Sequence, residues 1–208
     1  MLAQGQVGPI ATTTSLAGGT PQTVRLDNTG ALVQQELHGR YYEQAYRGNL
    51  FLAYSTATAL TVAGTAMVGL QLWNGSTNKN VVLLKAGGFI FVTSATTTGI
   101  LLGVGVGQPA APTGQTAITA SGPNFVGGAA SAATPYNAGT FVNAPSPRKN
   151  LLHNTAAIAA TGADPGFQVD LEGSIIIPPT CYCAFIALGA TAAAASTNLH
   201  LMWEEVPV

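Results

Sequence analysis

Three histidines, His38, His153 and His200, are the residues from which an acid–base or metal site would first be built. They lie far apart, each beside leucine, whereas hydrolytic chemistry needs a nucleophile, a base and a group orienting the base in one pocket. Each therefore reads as a hydrogen-bonded structural residue. Asp164, Asp170 and Glu172 supply carboxylates, and Asp170 and Glu172, two apart, would face the same way from a strand. Glycosidic chemistry wants its carboxylates on opposite walls of a cleft, not along one strand edge.

Cys181 and Cys183 are also two apart, a spacing that closes a disulfide poorly, and no histidine or second cysteine pair accompanies them at zinc-like spacing. Buried free thiols are expected. The glycine-rich runs GVGVG (103–107) and GPNFVGG (122–128) lack the preceding strand, following helix and lysine of a phosphate cradle. Glu204 and Glu205 could hold a cation, but a solvated edge that discourages sheet-to-sheet aggregation is the expected role. The expected catalytic, cofactor-binding and metal sets are therefore empty, and the chain is not expected to be an enzyme or to take a small-molecule substrate.

The elements that would position any site must come from a chain of 208 residues with seven Lys and Arg, eight Asp and Glu, and a net charge of −1. Charged residues make up 7%, against about 25% in an ordinary soluble domain. A chain so poor in charge is expected to hide much of its surface against other subunits. Without a basic background, nucleic acid is not an expected partner. Hydrophobic residues reach 47%, which favours packing over disorder. The N-terminal MLAQGQVGPIATTT has neither the basic start nor the apolar stretch of a secretory leader, and none is expected. The most membrane-like window, 89–107, has a Thr- and Ser-rich centre and no basic flank, so it reads as two strands and no membrane partner is expected.

Two regions are expected. Residues 1–48 form an extended N-terminal arm carrying a hairpin around Asp27–Gly30 and a short helix or ordered loop near ELHGRYYEQAYRG. Residues 49–208 form an all-β, jelly-roll-like two-sheet sandwich of eight to ten strands. The best-marked feature is a hairpin, MVGLQLW–NGSTNK–NVVLLK, with Asn74–Gly75 as its turn. Residues 86–147 carry no charge, and 108–147 read as a small-residue loop region covered by a partner subunit. Charge concentrates instead at Arg25, Asp27, Glu36, Arg40, Glu43 and Arg47. Local pairs such as Glu36 with Arg40 and Glu43 with Arg47 would explain it as a solvated face. Alternatively, Arg40, Tyr41, Tyr42, Tyr46 and Arg47 form a protein interface, since Arg and Tyr are enriched in interface hot spots.

The block LDNTGALVQQELHGRYYEQAYRGNLF, followed by LQLWNGSTNKNVVLLK, resembles segments of virion-associated proteins of tailed bacteriophages. Beyond these blocks the likeness is one of Ala-, Thr- and Gly-rich, strand-dense texture, and it carries over no active-site residue. The resemblance implies a non-enzymatic capsid decoration or cement protein on the outside of the virion. Such a protein would be a homo-oligomer, a trimer in the usual arrangement, seated on the major capsid protein with its arm bracing neighbours. The shell protein itself is not implied, because the common shell fold carries a long helix and charged segments. The alternative is a head-fibre or tail-fibre module binding a receptor or carbohydrate, for which Trp73, Tyr136 and Asn137 are the candidate contacts.

Overall fold

The computed structural model describes residues 39–56, 59–91, 99–120, 129–153, 166–189 and 196–208, without the side chains of Glu43 and Phe91. The chain divides into two units, Met1–Arg40 and Tyr41–Val208, and the architecture below is that of the second. The hairpin expected around Asp27–Gly30 and most of the expected arm lie outside the described residues.

Alternation along β10 (Ser196–Pro207) sets the layering. Leu199, Leu201 and Trp203 are at most 1% exposed, while His200, Met202 and Glu204 between them are half-buried on the other face. This strand lies between β1 (Leu50–Tyr54) and β3 (Lys79–Phe91), and β8 (Phe167–Ile177) closes a four-stranded sheet on the far side of β3. The second sheet has six strands in the order β5 (Thr113–Ala117), β6 (Ala133–Thr140), β2 (Ala66–Asn74), β9 (Tyr182–Ala187), β4 (Gly99–Gly105) and β7 (Ser146–His153). Every strand pairing is antiparallel.

Set β5 and β6 aside, and the other eight strands pair as nested partners: β1 with β10, β2 with β9, β3 with β8, β4 with β7. That is a long antiparallel strip rolled upon itself, the jelly-roll form of an all-β two-sheet sandwich. The β5–β6 pair is an insertion between β4 and β7 that widens the second sheet beyond β2. The core lies between the sheets, where Leu72, Leu102 and Phe185 meet Leu83, Ile177, Leu201 and Trp203. Each such side chain contributes about 1.5–3 kcal/mol by leaving water.

All six residues of β9 are buried, so both of its faces are covered. Cys183 and Phe185 face the core, while Tyr182, Ala184 and Ile186 join Met67 and Phe141 in a second cluster. The connection from β6 to β7 provides part of that cover. Phe141 stacks on Tyr182 with centroids 3.8 Å apart, and the Tyr182 hydroxyl donates to the Asn143 carbonyl. The ring lies flat over β4 at Gly105, where any Cβ would fall inside its van der Waals surface.

Several local expectations need correction. The strands flanking Asn74–Gly75 form, but not as a hairpin, because β2 belongs to the six-stranded sheet and β3 to the four-stranded one. Gly75 does not take the left-handed conformation that a type I′ turn requires. Asn74 instead makes a corner. Its fully buried Nδ2 donates to the carbonyls of Lys79 (2.9 Å) and Ile177 (2.8 Å), while Oδ1 accepts from Ser76 N at 3.1 Å. One side chain thus ties β2 to two strands of the opposite sheet. The 108–147 stretch is not only loop, since β5, β6 and the start of β7 arise within it. TALTVA contributes a single parallel bridge, Val62 to Ala187, in place of a strand, and NVVLLKAG runs on through Phe91 as one strand.

Asn74→Ala would strip two enclosed carbonyls of their donor. We expect a loss of roughly 1–3 kcal/mol, read as a lower denaturant midpoint at unchanged slope.

Candidate interaction surface

The aromatic–basic segment near residue 40 forms α1 (Tyr42–Tyr46), a helix of little more than one turn. It ends where Gly48, at φ 71°, enters the left-handed region. Gly48 N donates to Ala45 O at 3.1 Å and Asn49 N to Gln44 O at 3.0 Å, the paired bonds of a Schellman cap. This cap delivers the chain directly into β1.

The short helix separates the tyrosines by direction. Tyr42 and Tyr46, four apart, stack at 6.0 Å with planes 6° from parallel, and are 39% and 61% exposed. Tyr41 is half-buried, with the Lys85 ammonium of β3 5.7 Å from its ring centre, within cation–π range. Arg47 is exposed beside Tyr46, and Arg40, the last residue of the first unit, is also exposed. Of the five expected interface residues, Tyr42 and Tyr46 form one exposed stacked pair and Arg40 and Arg47 are exposed, whereas Tyr41 is half-buried. The Glu36–Arg40 and Glu43–Arg47 pairs fall partly outside the described residues.

The outer face of the four-stranded sheet adds further apolar surface. Tyr54, Phe89 and Ile176 are 55%, 46% and 52% exposed. Tyr54 packs against His200 with ring centres 5.8 Å apart, and the imidazole crosses β3 at Gly87, where a Cβ would collide with it. Burial lowers the His200 pKa from its ordinary value, and burial likewise raises that of Glu204 on the same face. Lys85 pairs with Asp170 at 3.1 Å.

The residues considered for chemistry stay dispersed. His153 is exposed on β7, His200 lies on the outer face of β10, and His38 and Asp164 are outside the described residues. Asp170 is engaged by Lys85, and Glu172 sits in a left-handed kink with Gly173, at φ 50° and 77°. Among the described residues no three His, Cys, Asp or Glu gather as metal ligands would. Nor is any helix among them long and apolar enough to cross a membrane. Both cysteines are buried and free, and burial pushes the Cys183 thiol up to about 12.

The candidate carbohydrate contacts do not converge on an open cleft. Tyr136 is 4% exposed, and Asn137, at 8%, uses its side chain to bind Thr56: Oδ1 accepts from Thr56 N, and Nδ2 donates to Thr56 Oγ1 at 2.8 Å. Trp73 packs over Gly75.

Glu205 overturns the expectation of a solvated edge, because its side chain is wholly enclosed. Oε1 accepts from Ser131 Oγ (2.7 Å), Ala132 N (2.8 Å) and Ala133 N (3.2 Å), while Oε2 faces Lys79 Nζ at 3.0 Å. These donors replace the water that a buried carboxylate loses. The alternation that buries Leu199, Leu201 and Trp203 reaches Glu205 two residues later, and that was the signal for it in the sequence.

Comparison with protein-family models, with curated proteins and with solved structures finds no match to this chain.

At mildly alkaline pH the native protein should take up almost no thiol reagent during a period in which denatured protein takes up two equivalents, one for each cysteine. Rapid native labelling of both would show that β9 is not enclosed as described.

Proposed function

We propose that this protein is a non-enzymatic structural component of a virus particle, a capsid decoration or cement protein that works as a homo-oligomer seated on the shell. The observation that carries this reading is an exterior with apolar and neutral groups where charge would ordinarily stand. Tyr46, Tyr54, Val106, Val142 and Ile176 are each more than half exposed, and all five residues of β5 are exposed without one charge among them. Such a surface favours association, because companion subunits remove it from water. The jelly roll supports the same reading, since capsid domains use it, although lectins and cupins use it too. The resemblance of the 26–51 and 70–85 blocks to virion proteins of tailed phages directs the choice among these. The trimer and the major capsid protein as contact are proposed on that resemblance alone.

The mechanism is mechanical: a large, permanently buried contact makes dissociation slow and adds links that resist pressure on the shell. Tyr42 and Tyr46 of α1 and Arg47 just after it are the proposed contact residues, in a segment that also includes Arg40 and Tyr41.

Antibody raised against the chain should label the heads of purified particles that carry its gene. Label confined to fibres or tails would favour the receptor-binding alternative, and absence from particles would overturn both. Tyr46→Ala should weaken attachment to the particle by more than about 1 kcal/mol, measured as the fraction released on dilution, if Tyr46 is an interface anchor.

A further inference from the structure

The β5–β6 insertion is outside the eight nested strands, yet a carboxylate of the last strand holds the entry to its second strand, β6. Ser131, Ala132 and Ala133, which lead into β6, all donate to Glu205 Oε1, and Lys79 at the start of β3 donates to Oε2. We infer that Glu205 is an acid-released latch: ionised, it fastens the entry of β6 to the sandwich, and protonated, it lets that entry detach while the jelly roll stays folded.

The chemistry is asymmetric. A proton on Oε2 would face the Lys79 ammonium, which can only donate, so the ion pair is lost, only a weak neutral acceptor is left there, and the lysine, partly exposed already, turns to water. The three bonds to Oε1 persist only as neutral ones, about half as strong as their charge-assisted forms. Detachment is local because β10 remains laddered to β1 and β3 on its two sides. Its consequence would be structural: with β6 loosened, the edge of β2 becomes open to pairing by another strand.

Lys79 is the charged group set against Glu205 by β3. Nearby on β2, Asn74 is the register partner of Ala133 and binds the Ile177 carbonyl of β8, and neither residue titrates; the Cys181 thiol lies in the inter-sheet core. Glu204 and His200 occupy the opposite face of β10. Burial by itself raises the Glu205 pKa, but the bonds from Ser131, Lys79 and Ala133 and the charge of Lys79 outweigh it, leaving a net lowering. The latch therefore contributes its full stability above the unfolded-state value of about 4.3 and loses it as pH falls through the lower folded value.

Hydrogen exchange on the full chain tests this, with Glu205→Gln standing for the protonated form. At neutral pH the amides of 132, 133 and β6 should exchange about tenfold faster in that variant, with the β10–β3 ladder unchanged. In the native protein the same amides should accelerate in acid, after correction for intrinsic rates. Lys79→Met should move the midpoint of that acceleration to higher pH, which keeps the test available if Glu205→Gln does not fold. Unchanged exchange at 132–140 in Glu205→Gln, acceleration spread evenly over all strands, or a midpoint that Lys79→Met does not move would each overturn the latch. The inference stands independently of membership in a virus particle.

Discussion

With seven basic and eight acidic residues in 208, the chain has few ionised groups with which to hold water at its surface. Even these are not all outside, because Glu205 is enclosed and draws Lys79 to it. Much of the described exterior is neutral: the five exposed residues of β5 carry no charge, Tyr42 stacks on Tyr46, and Tyr54 meets His200 at a tilt. The neutral character of the described outer surface follows from that shortage. Where strand β9 might have shown a solvated face, Phe141 and Asn143 cover Tyr182; where Lys85 stands above β3, Tyr41 and Asp170 attend it.

Polar groups that the fold does enclose act as ties between layers. Asn74 reaches from the six-stranded sheet to carbonyls of β3 and β8, and Glu205 reaches from the four-stranded sheet to the entry of β6. The two ties meet at neighbouring positions, since Asn74 is the register partner of Ala133, whose amide binds Glu205. One end of the sandwich is therefore held by directional bonds, and much of the inter-sheet layer by apolar packing. Of the two ties only Glu205 can take up a proton, whereas the Asn74 amide and the apolar layer cannot, so the inferred acid sensitivity belongs to the Glu205 tie.

The all-β character and most of the strands were legible in the sequence because apolar alternation is a local signal. The last strand was the clearest case, with Leu199, Leu201 and Trp203 all inward. Partnership was not legible. An Asn–Gly step between two alternating runs reads the same whether the runs pair with each other or leave for opposite sheets, and the choice at 74–75 rests on carbonyls of Lys79 and Ile177 that only the folded chain brings near. Strands β5 and β6 escaped notice because TGQTA and ATPYNAGT lack apolar alternation: β6 is laddered to β2, and β5 to β6. Glu205 was misread despite correct alternation, since a carboxylate is ordinarily assigned to solvent, and its donors come from residues some seventy positions away. On the candidate surface, the aromatic–basic composition was visible in the sequence, but the half-burial of Tyr41 beside Lys85 of a distant strand was not.

Association through the neutral exterior is the claim on which the functional reading rests, and sedimentation equilibrium of the purified full chain at micromolar concentration measures it most directly. The account predicts a species at an integer multiple of the chain mass that persists on further dilution. A soluble monomer throughout that range would contradict it.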